Sequence, residues 1–196
     1  MNDQLDIIPE SEIEPLGPVS RAFIDGGTAT VRAAFQDVWS LPYGRNDDPG
    51  DPLAPLIEGR GTCSTKHALL ARLLDEQDID CELRLGIYEM CETNTPGVGS
   101  TLAAHGLDAI PEAHCFLVVE GRRIDVTRVD SKGAEPIGSF LYEEAIEPEH
   151  IGEYKRTLHR RFIDAWAIEN DGAPLTGAQL WAIREACIEA LAAAAR

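Results

Sequence analysis

The chain is poor in cationic residues, and this alone excludes two classes of partner. It has 17 Lys and Arg residues against 34 Asp and Glu, which gives a formal net charge of −17. Such a chain repels phosphate backbones and anionic bilayers over most of its surface. We therefore expect no binding to nucleic acid and no binding to membranes.

Long apolar runs and cysteine motifs are also lacking. No apolar run approaches the ~20 residues that a helix needs to cross a bilayer, and the N-terminal segment 1–6 lacks the positive region and apolar run of a secretory signal. The five cysteines are an odd set without a Cys-x-x-Cys pair, which argues against a zinc ribbon and suits a reducing compartment. The expected location is therefore the cytoplasm.

The composition is otherwise that of a soluble globular protein. Its 196 residues are 44% hydrophobic and 26% charged, and a chain of this length can bury a sizeable core. Residues 1–20 carry three prolines among acidic residues and lack an apolar period. We predict an extended acidic arm over 1–20 and one domain over 21–196 that includes the C-terminal helices.

Apolar spacing predicts a mixed arrangement of helices and strands. Helices are expected over 28–39, from Thr62 or Cys63 to about Glu76, after Pro148, and after Thr176. Strands are expected over 79–90, 113–119, 123–129 and 140–146, and residues 42–61, dense in Pro and Gly, are expected to be loop. The predicted fold class is α+β, with an antiparallel sheet packed against a buried helix that begins at Cys63. Further helices flank it at the N- and C-terminal ends.

Cys63 has the setting of a nucleophile. Residues 59–67 carry it from a glycine-rich loop onto the first turn of the predicted helix, where the helix dipole lowers the pKa of a thiol below its usual ~8.5. Lys66, one turn along, adds to that field, and backbone N–H groups at a helix start can hold an oxyanion. The alternative role for Cys63 is a small apolar cap residue.

A cysteine nucleophile needs a base, and His114 has the most convincing setting of the five histidines. It opens a predicted strand, and Asp125 lies on the next strand beyond a turn. If Glu120 and Gly121 form a two-residue loop, Asp125 is the diagonal neighbour of His114, ~7–8 Å away. If Gly121 and Arg122 form the loop, Asp125 is out of reach, so the turn decides between these alternatives.

The order of Cys63 in Gly61-Thr62-Cys63-Ser64, then His114, then Asp125, resembles the transglutaminase-like superfamily, a papain-related group. The resemblance covers residues 28–130, although Cys115 and Phe116 follow the histidine in place of the usual small residue and tryptophan. It implies acyl transfer from an amide or related acyl group: proteolysis, deamidation, transamidation or acetyl transfer. Cys63 is then the nucleophile, His114 the base and acid, and Asp125 the residue that orients the imidazole, with no cofactor required.

Four further residues are candidates for supporting roles in such a site. Lys66 is the cation named above, and His67, four residues after Cys63, shares its helical face and supports the nucleophile or completes a metal site with Cys63 and His114. A core or cap role is the simpler interpretation of His67. Trp39 and Tyr43 wall the cleft or donate to an oxyanion, as upstream aromatics do in this superfamily, and core packing is the simpler role for Trp39.

Two other functions stay open beside the thiol enzyme. One is a non-catalytic binding or scaffold protein that keeps the fold, and the other is an N-acetyltransferase-like activity. The expected partner is an amide or acyl substrate, with peptides and proteins among the candidates. The sequence leaves the acyl donor, the acceptor and the oligomeric state open.

Overall fold

The computed structural model describes residues 3–128, 137–169 and 175–194. Its α helices are α1 (Pro18–Asp25), α2 (Val31–Ser40), α3 (Ala54–Glu58), α4 (Cys63–Glu76), α5 (Gly99–Ala103), α6 (Glu153–Glu169) and α7 (Gly177–Ala194). Its strands are β1 (Glu82–Met90), β2 (Ile110–Val119), β3 (Arg122–Ile124) and β4 (Tyr142–Ile146). Short 3-10 helices cover Asp3–Leu5 and Pro148–Ile151.

The structure confirms a mixed fold of helices and antiparallel sheet. The four strands form one antiparallel sheet in the order β3-β2-β1-β4. Helices precede and follow these strands in the sequence. Strand β2 is buried along almost its whole length, which is typical of an interior strand. Strand β3 is shorter than predicted, since it covers three residues where the sequence favoured 123–129.

The hairpin between β2 and β3 has the first of the two predicted registers. Val119 pairs with Arg122, so Glu120 and Gly121 are a two-residue loop. Both loop residues have positive φ, 49° and 73°, as a type I′ turn requires to match the twist of its strands. The last pair is Leu117 with Ile124, and Asp125 therefore lies just beyond the ladder.

The described chain divides into two compact units. The first contains residues 3–84, 115–128 and 145–152, and the second contains residues 85–114, 137–144, 153–169 and 175–194. In the second unit, α7 packs against α6 and α5. The single domain expected over 21–196 stays a prediction.

Helix α4 is the central helix of the first unit. It contacts α1, α2, α3 and the 3-10 helix Pro148–Ile151, and 11 of its 14 residues are buried. Its start is fixed by a capping box, in which Thr62 accepts from the Thr65 N–H and Thr65 accepts from the Thr62 N–H. The bounds of α4 agree with the prediction from the sequence.

The N-terminal segment is packed, in contrast to the predicted extended arm. The side chains of Leu5, Ile8 and Ile13 are buried, and Glu12 forms an isolated bridge with Thr30. The predicted boundary at residue 20 falls inside α1, which begins with Pro18 at its first position. The three buried residues are irregularly spaced, so the sequence of this segment shows neither a helical nor a strand period.

Three α helices were not predicted, and α5 (Gly99–Ala103) is one of them. Helix α3 lies within the region expected to be loop, and its five residues end at Gly59 in the left-handed conformation. Helix α1 lies at the end of the predicted arm. Among the described residues, no helix is long and apolar enough to cross a membrane.

Candidate functional site

Cys63 is the first residue of α4. The residue is 8% exposed, and its Sγ lies 3.8 Å from the Ser64 Oγ. The loop approaches the helix closely here, because a Cβ on Gly61 would lie 2.8 Å from the Cγ of Lys66. A side chain at position 61 would therefore collide with the Lys66 side chain, and glycine avoids this collision where the chain leads into α4.

Lys66 is fully buried on the same helix face as Cys63, and its ammonium group binds three backbone carbonyls. Nζ donates to the oxygens of Leu41 at 2.6 Å, Thr127 at 3.0 Å and Val126 at 3.4 Å. Burial lowers the pKa of Lys66 to about 8, while the negative charge of Asp125, and that of Cys63 when it is ionised, oppose this shift. Lys66 is therefore still mostly a cation at neutral pH.

His67 is fully buried, and its two ring nitrogens are bound to backbone groups. The N–H of Val126 donates to Nε2 at 2.9 Å, so Nε2 carries a lone pair and no proton. Nδ1 is then the protonated nitrogen, and it donates to the Cys63 carbonyl at 2.7 Å. This single tautomer connects the first turn of α4 to the segment that follows β3.

Asp125 begins that segment and is bound on its backbone and its side chain. The amide group of Gln4 donates to the Asp125 carbonyl at 3.0 Å and accepts from its N–H at 3.2 Å. Oδ1 accepts from the Thr127 N–H at 2.9 Å and lies 3.7 Å from Nε2 of His67. Because Nε2 of His67 is an acceptor here, the carboxylate does not receive a hydrogen bond from it.

Trp39 and Tyr43 both contact Arg128. The indole N–H of Trp39 donates to the Arg128 carbonyl at 2.6 Å, and the Arg128 guanidinium lies 5.2 Å from the centre of the Tyr43 ring. Tyr43 also forms a bridge with Gly61 in the loop that leads into α4. The Trp39 indole is thus used to hold the segment after β3, so it is not the donor to an oxyanion.

His114 belongs to the second unit. It lies on β2 and is 7% exposed. The Tyr88 ring meets it edge-on, with ring centres 6.0 Å apart, and the Tyr88 hydroxyl is bonded to the Thr95 hydroxyl at 3.0 Å. The histidine is therefore held beside a buried aromatic residue of β1.

The structure brings most of the predicted site residues together in the first unit. His67 contacts the Cys63 carbonyl and lies 3.7 Å from the Asp125 carboxylate, and Lys66 binds the two carbonyls that follow Asp125. The aromatic pair holds the same segment after β3. The assembly of Cys63, His114 and Asp125 as a triad stays a prediction. Among the described residues, no group of three His, Cys, Asp or Glu is arranged to hold a metal ion, and both His67 nitrogens are already bound to backbone groups.

Three residues that support this region were not predicted from the sequence. Gln4 binds the backbone of Asp125, and Arg128 lies between the two aromatic residues. Asn46 accepts from the Thr65 hydroxyl at 2.7 Å and donates to the Arg60 carbonyl at 2.9 Å. Each of these residues contacts a partner that is distant in the sequence, so no local sequence pattern could identify it.

We expect the half-buried Cys81 and the buried Cys187 to be poor nucleophiles. Burial, with nearby acidic residues, raises the pKa of both thiols to about 11, so both are protonated at neutral pH. Peptide mapping after brief treatment with iodoacetamide at neutral pH should find Cys63 modified well before either of them. Equal rates at the three sites would show that Cys63 has no special environment.

The assignment of Cys63 as the candidate nucleophile predicts that the other four cysteines are dispensable for a chemical step at this site. Cys115 is fully buried, and Cys91 is bonded to the Thr93 hydroxyl at 3.1 Å. Alanine at 81, 91, 115 or 187 should change thermal stability and leave turnover intact. Loss of turnover in a folded double variant at Cys81 and Cys187 would contradict this prediction.

Comparison of the chain with models of known protein families, with curated proteins and with solved structures finds no match.

Proposed function

We propose that the protein is a thiol-dependent acyl-transfer enzyme or hydrolase of transglutaminase-like type, acting on an amide or related acyl group. Cys63 is the nucleophile, His114 is the general base and acid, and Asp125 orients the imidazole. The proposal also includes the packing of the antiparallel sheet against the helix that begins with Cys63. No cofactor takes part.

The observation that supports this proposal most directly is the environment of Cys63 at the start of α4. Cys63 is the first residue of a capped helix, and the buried Lys66 lies one turn further along the same helix face. A helix N-terminus and a nearby cation both favour a thiolate over a thiol. A thiolate is the form of cysteine that attacks carbonyl carbon.

The assignment of the base to His114 is supported by what His67 already does. The Nε2 lone pair of His67 accepts the Val126 N–H, so this imidazole cannot also take a proton from the thiol without losing that bond. His114 lies on β2, and the two-residue loop to β3 leads the chain towards Asp125. This is the register that the triad requires.

The proposed reaction has two steps. The Cys63 thiolate attacks the acyl carbon, the C–N bond breaks, and the His114 imidazolium gives its proton to the departing amine. The acyl group is then a thioester on Cys63. Neutral His114 next removes a proton from water or from an acceptor amine, which displaces the thiolate and releases an acid or a new amide.

The test is a screen of three classes of acyl donor: peptides, glutamine amides and acetyl-CoA, each with water and with a primary amine as acceptor. We expect one class to give product and to leave an acyl adduct on Cys63 that intact-protein mass spectrometry detects. Acetyl-CoA as the productive donor would identify the N-acetyltransferase-like alternative.

Two variants complete this screen. Cys63→Ser should abolish product and adduct, while Cys91→Ser, which changes a cysteine outside the site, should retain both. Undiminished product formation by Cys63→Ser would overturn the assignment of the nucleophile. An absence of product and adduct in every arm, together with ordinary reactivity of Cys63, would favour a binding or scaffold role.

A further inference from the structure

We infer that Lys66 and His67 form a backbone clamp that holds the segment carrying Asp125 against the first turn of α4, and that they are positioning residues of the proposed site. The inference rests on the proposed function and deepens it, since it assigns how Cys63 and Asp125 are kept in register. Neither side chain then needs to touch the substrate.

The clamp holds one residue, Val126, by both polar groups of its backbone. Its N–H is bound by Nε2 of His67 at 2.9 Å, and its carbonyl accepts from Nζ of Lys66 at 3.4 Å. Two consecutive residues of α4 therefore fix the residue that follows Asp125. Val126 itself is fully buried, so water cannot easily replace either bond.

Each clamp residue also has a second attachment that ties Val126 to another part of the first unit. Nδ1 of His67 donates to the carbonyl of Cys63, and Nζ of Lys66 also binds the carbonyls of Leu41 and Thr127. The three ammonium protons of the lysine are thus matched by three backbone oxygens. A displacement of the Asp125 segment would break bonds at both residues at once.

The Asp125 side chain lies beside the clamp and is partly exposed. One of its oxygens, Oδ1, accepts the Thr127 N–H, and its side chain is 32% exposed. The His67 ring lies beside it but is fixed in the tautomer that presents a lone pair at Nε2. The clamp therefore sets the position of the backbone that carries this carboxylate.

A matched pair of substitutions at His67 separates the two halves of the clamp. In His67→Asn the side-chain amide can replace Nδ1 as donor to the Cys63 carbonyl but does not reach the Val126 N–H. In His67→Gln the side-chain oxygen reaches the Nε2 position and can accept from Val126. Each variant therefore keeps a different one of the two bonds.

We expect His67→Asn to lower the hydrogen-exchange protection of the Val126 N–H roughly tenfold relative to His67→Gln. It should also shift the pH profile of Cys63 alkylation towards that of an ordinary thiol, while His67→Gln keeps the wild-type profile. A purely structural role would change the melting temperatures alone. Equal Val126 protection and equal profiles in the two variants would overturn the inference.

A second measurement needs no variant. An N–H···N hydrogen bond gives a scalar coupling between the two nitrogens, so the folded wild-type protein labelled with ¹⁵N should show one between Val126 N and His67 Nε2. Its absence would overturn the clamp even if His67→Asn did not fold. The clamp is tested by the Val126 hydrogen bond, and the proposed function is tested by product formation. Either one can therefore be found without the other, so their failures are distinguishable.

Discussion

Replacement of Asp125 by asparagine is expected to lower turnover by up to ~10⁴-fold, by analogy with the serine triad, and by less if the thiol ionises readily. Asparagine keeps the oxygen that accepts the Thr127 N–H but removes the negative charge. In the proposed triad, loss of that charge makes the His114 imidazolium less stable and shifts the resting pair towards neutral thiol and neutral imidazole. The measurements are kcat on the productive donor and the pH profile of Cys63 alkylation.

The controls for Asp125→Asn distinguish a catalytic role from a structural one. The melting temperature should change little, because Gln4 and Thr127 still bind the segment. Asp25→Asn, a change of the same kind at an exposed residue of α1, should leave turnover unaltered. A thiol pKa that stays constant while stability falls would show that Asp125 only supports the fold.

Replacement of Glu112 by glutamine should cost about 3–5 kcal/mol of folding stability, because it removes the buried counter-charge of the largely buried Arg184 guanidinium and leaves only the more exposed Glu185. In the second unit, the carboxylate of Glu112 receives two bonds from Arg184, both at 2.6 Å. His159 lies 4.0 Å away and donates from Nε2 to the Pro111 carbonyl. Urea denaturation of the variant and the wild type gives the difference.

Two comparison variants show whether the unpaired charge is the cause. Glu185→Gln removes the other, more exposed partner of Arg184 and should cost less than about 1 kcal/mol. A double variant, Glu112→Leu with Arg184→Met, replaces both charges by apolar groups and should recover most of the stability. A double variant as unstable as Glu112→Gln would contradict this explanation.

The pH dependence of stability follows from the same pair. Burial alone would raise the pKa of Glu112. The Arg184 cation, with smaller contributions from His159 and Lys155, instead holds this pKa at about 2, below the ordinary value of 4.5. The contribution of Glu112 to stability is therefore complete above pH 4.5 and is lost as the pH falls towards 2. The Glu112→Gln variant should lack this part of the acid dependence.

The elements that the sequence predicted well are those with a local physical signal. Helix α4 has its cap at Thr62 and an apolar face on the residues that follow, so both its start and its end were predictable. The two-residue loop at Glu120 and Gly121 was one of two alternatives, and the backbone at positive φ selects it. Helix α1 was missed even though Pro18 at its first position is a recognised start signal.

The contacts of the candidate site were less predictable, because they depend on which backbone groups are brought near α4. The spacing placed Cys63, Lys66 and His67 on one helix face, and the structure agrees. The spacing in the sequence could not reveal that Lys66 binds three carbonyls or that the His67 ring accepts a hydrogen bond from the Val126 N–H. Those partners lie 25 to 61 residues away in the chain.

In the proposed site, Cys63 is a thiolate stabilised by its environment and paired with His114. The most direct measurement is the ultraviolet absorbance of the thiolate as a function of pH, taken as the difference between the wild type and Cys63→Ser. We predict that the Cys63 thiolate is formed well below pH ~8.5 and that His114→Ala moves its formation upwards. A single ionisation at the ordinary thiol pKa, unchanged by His114→Ala, would contradict the claim.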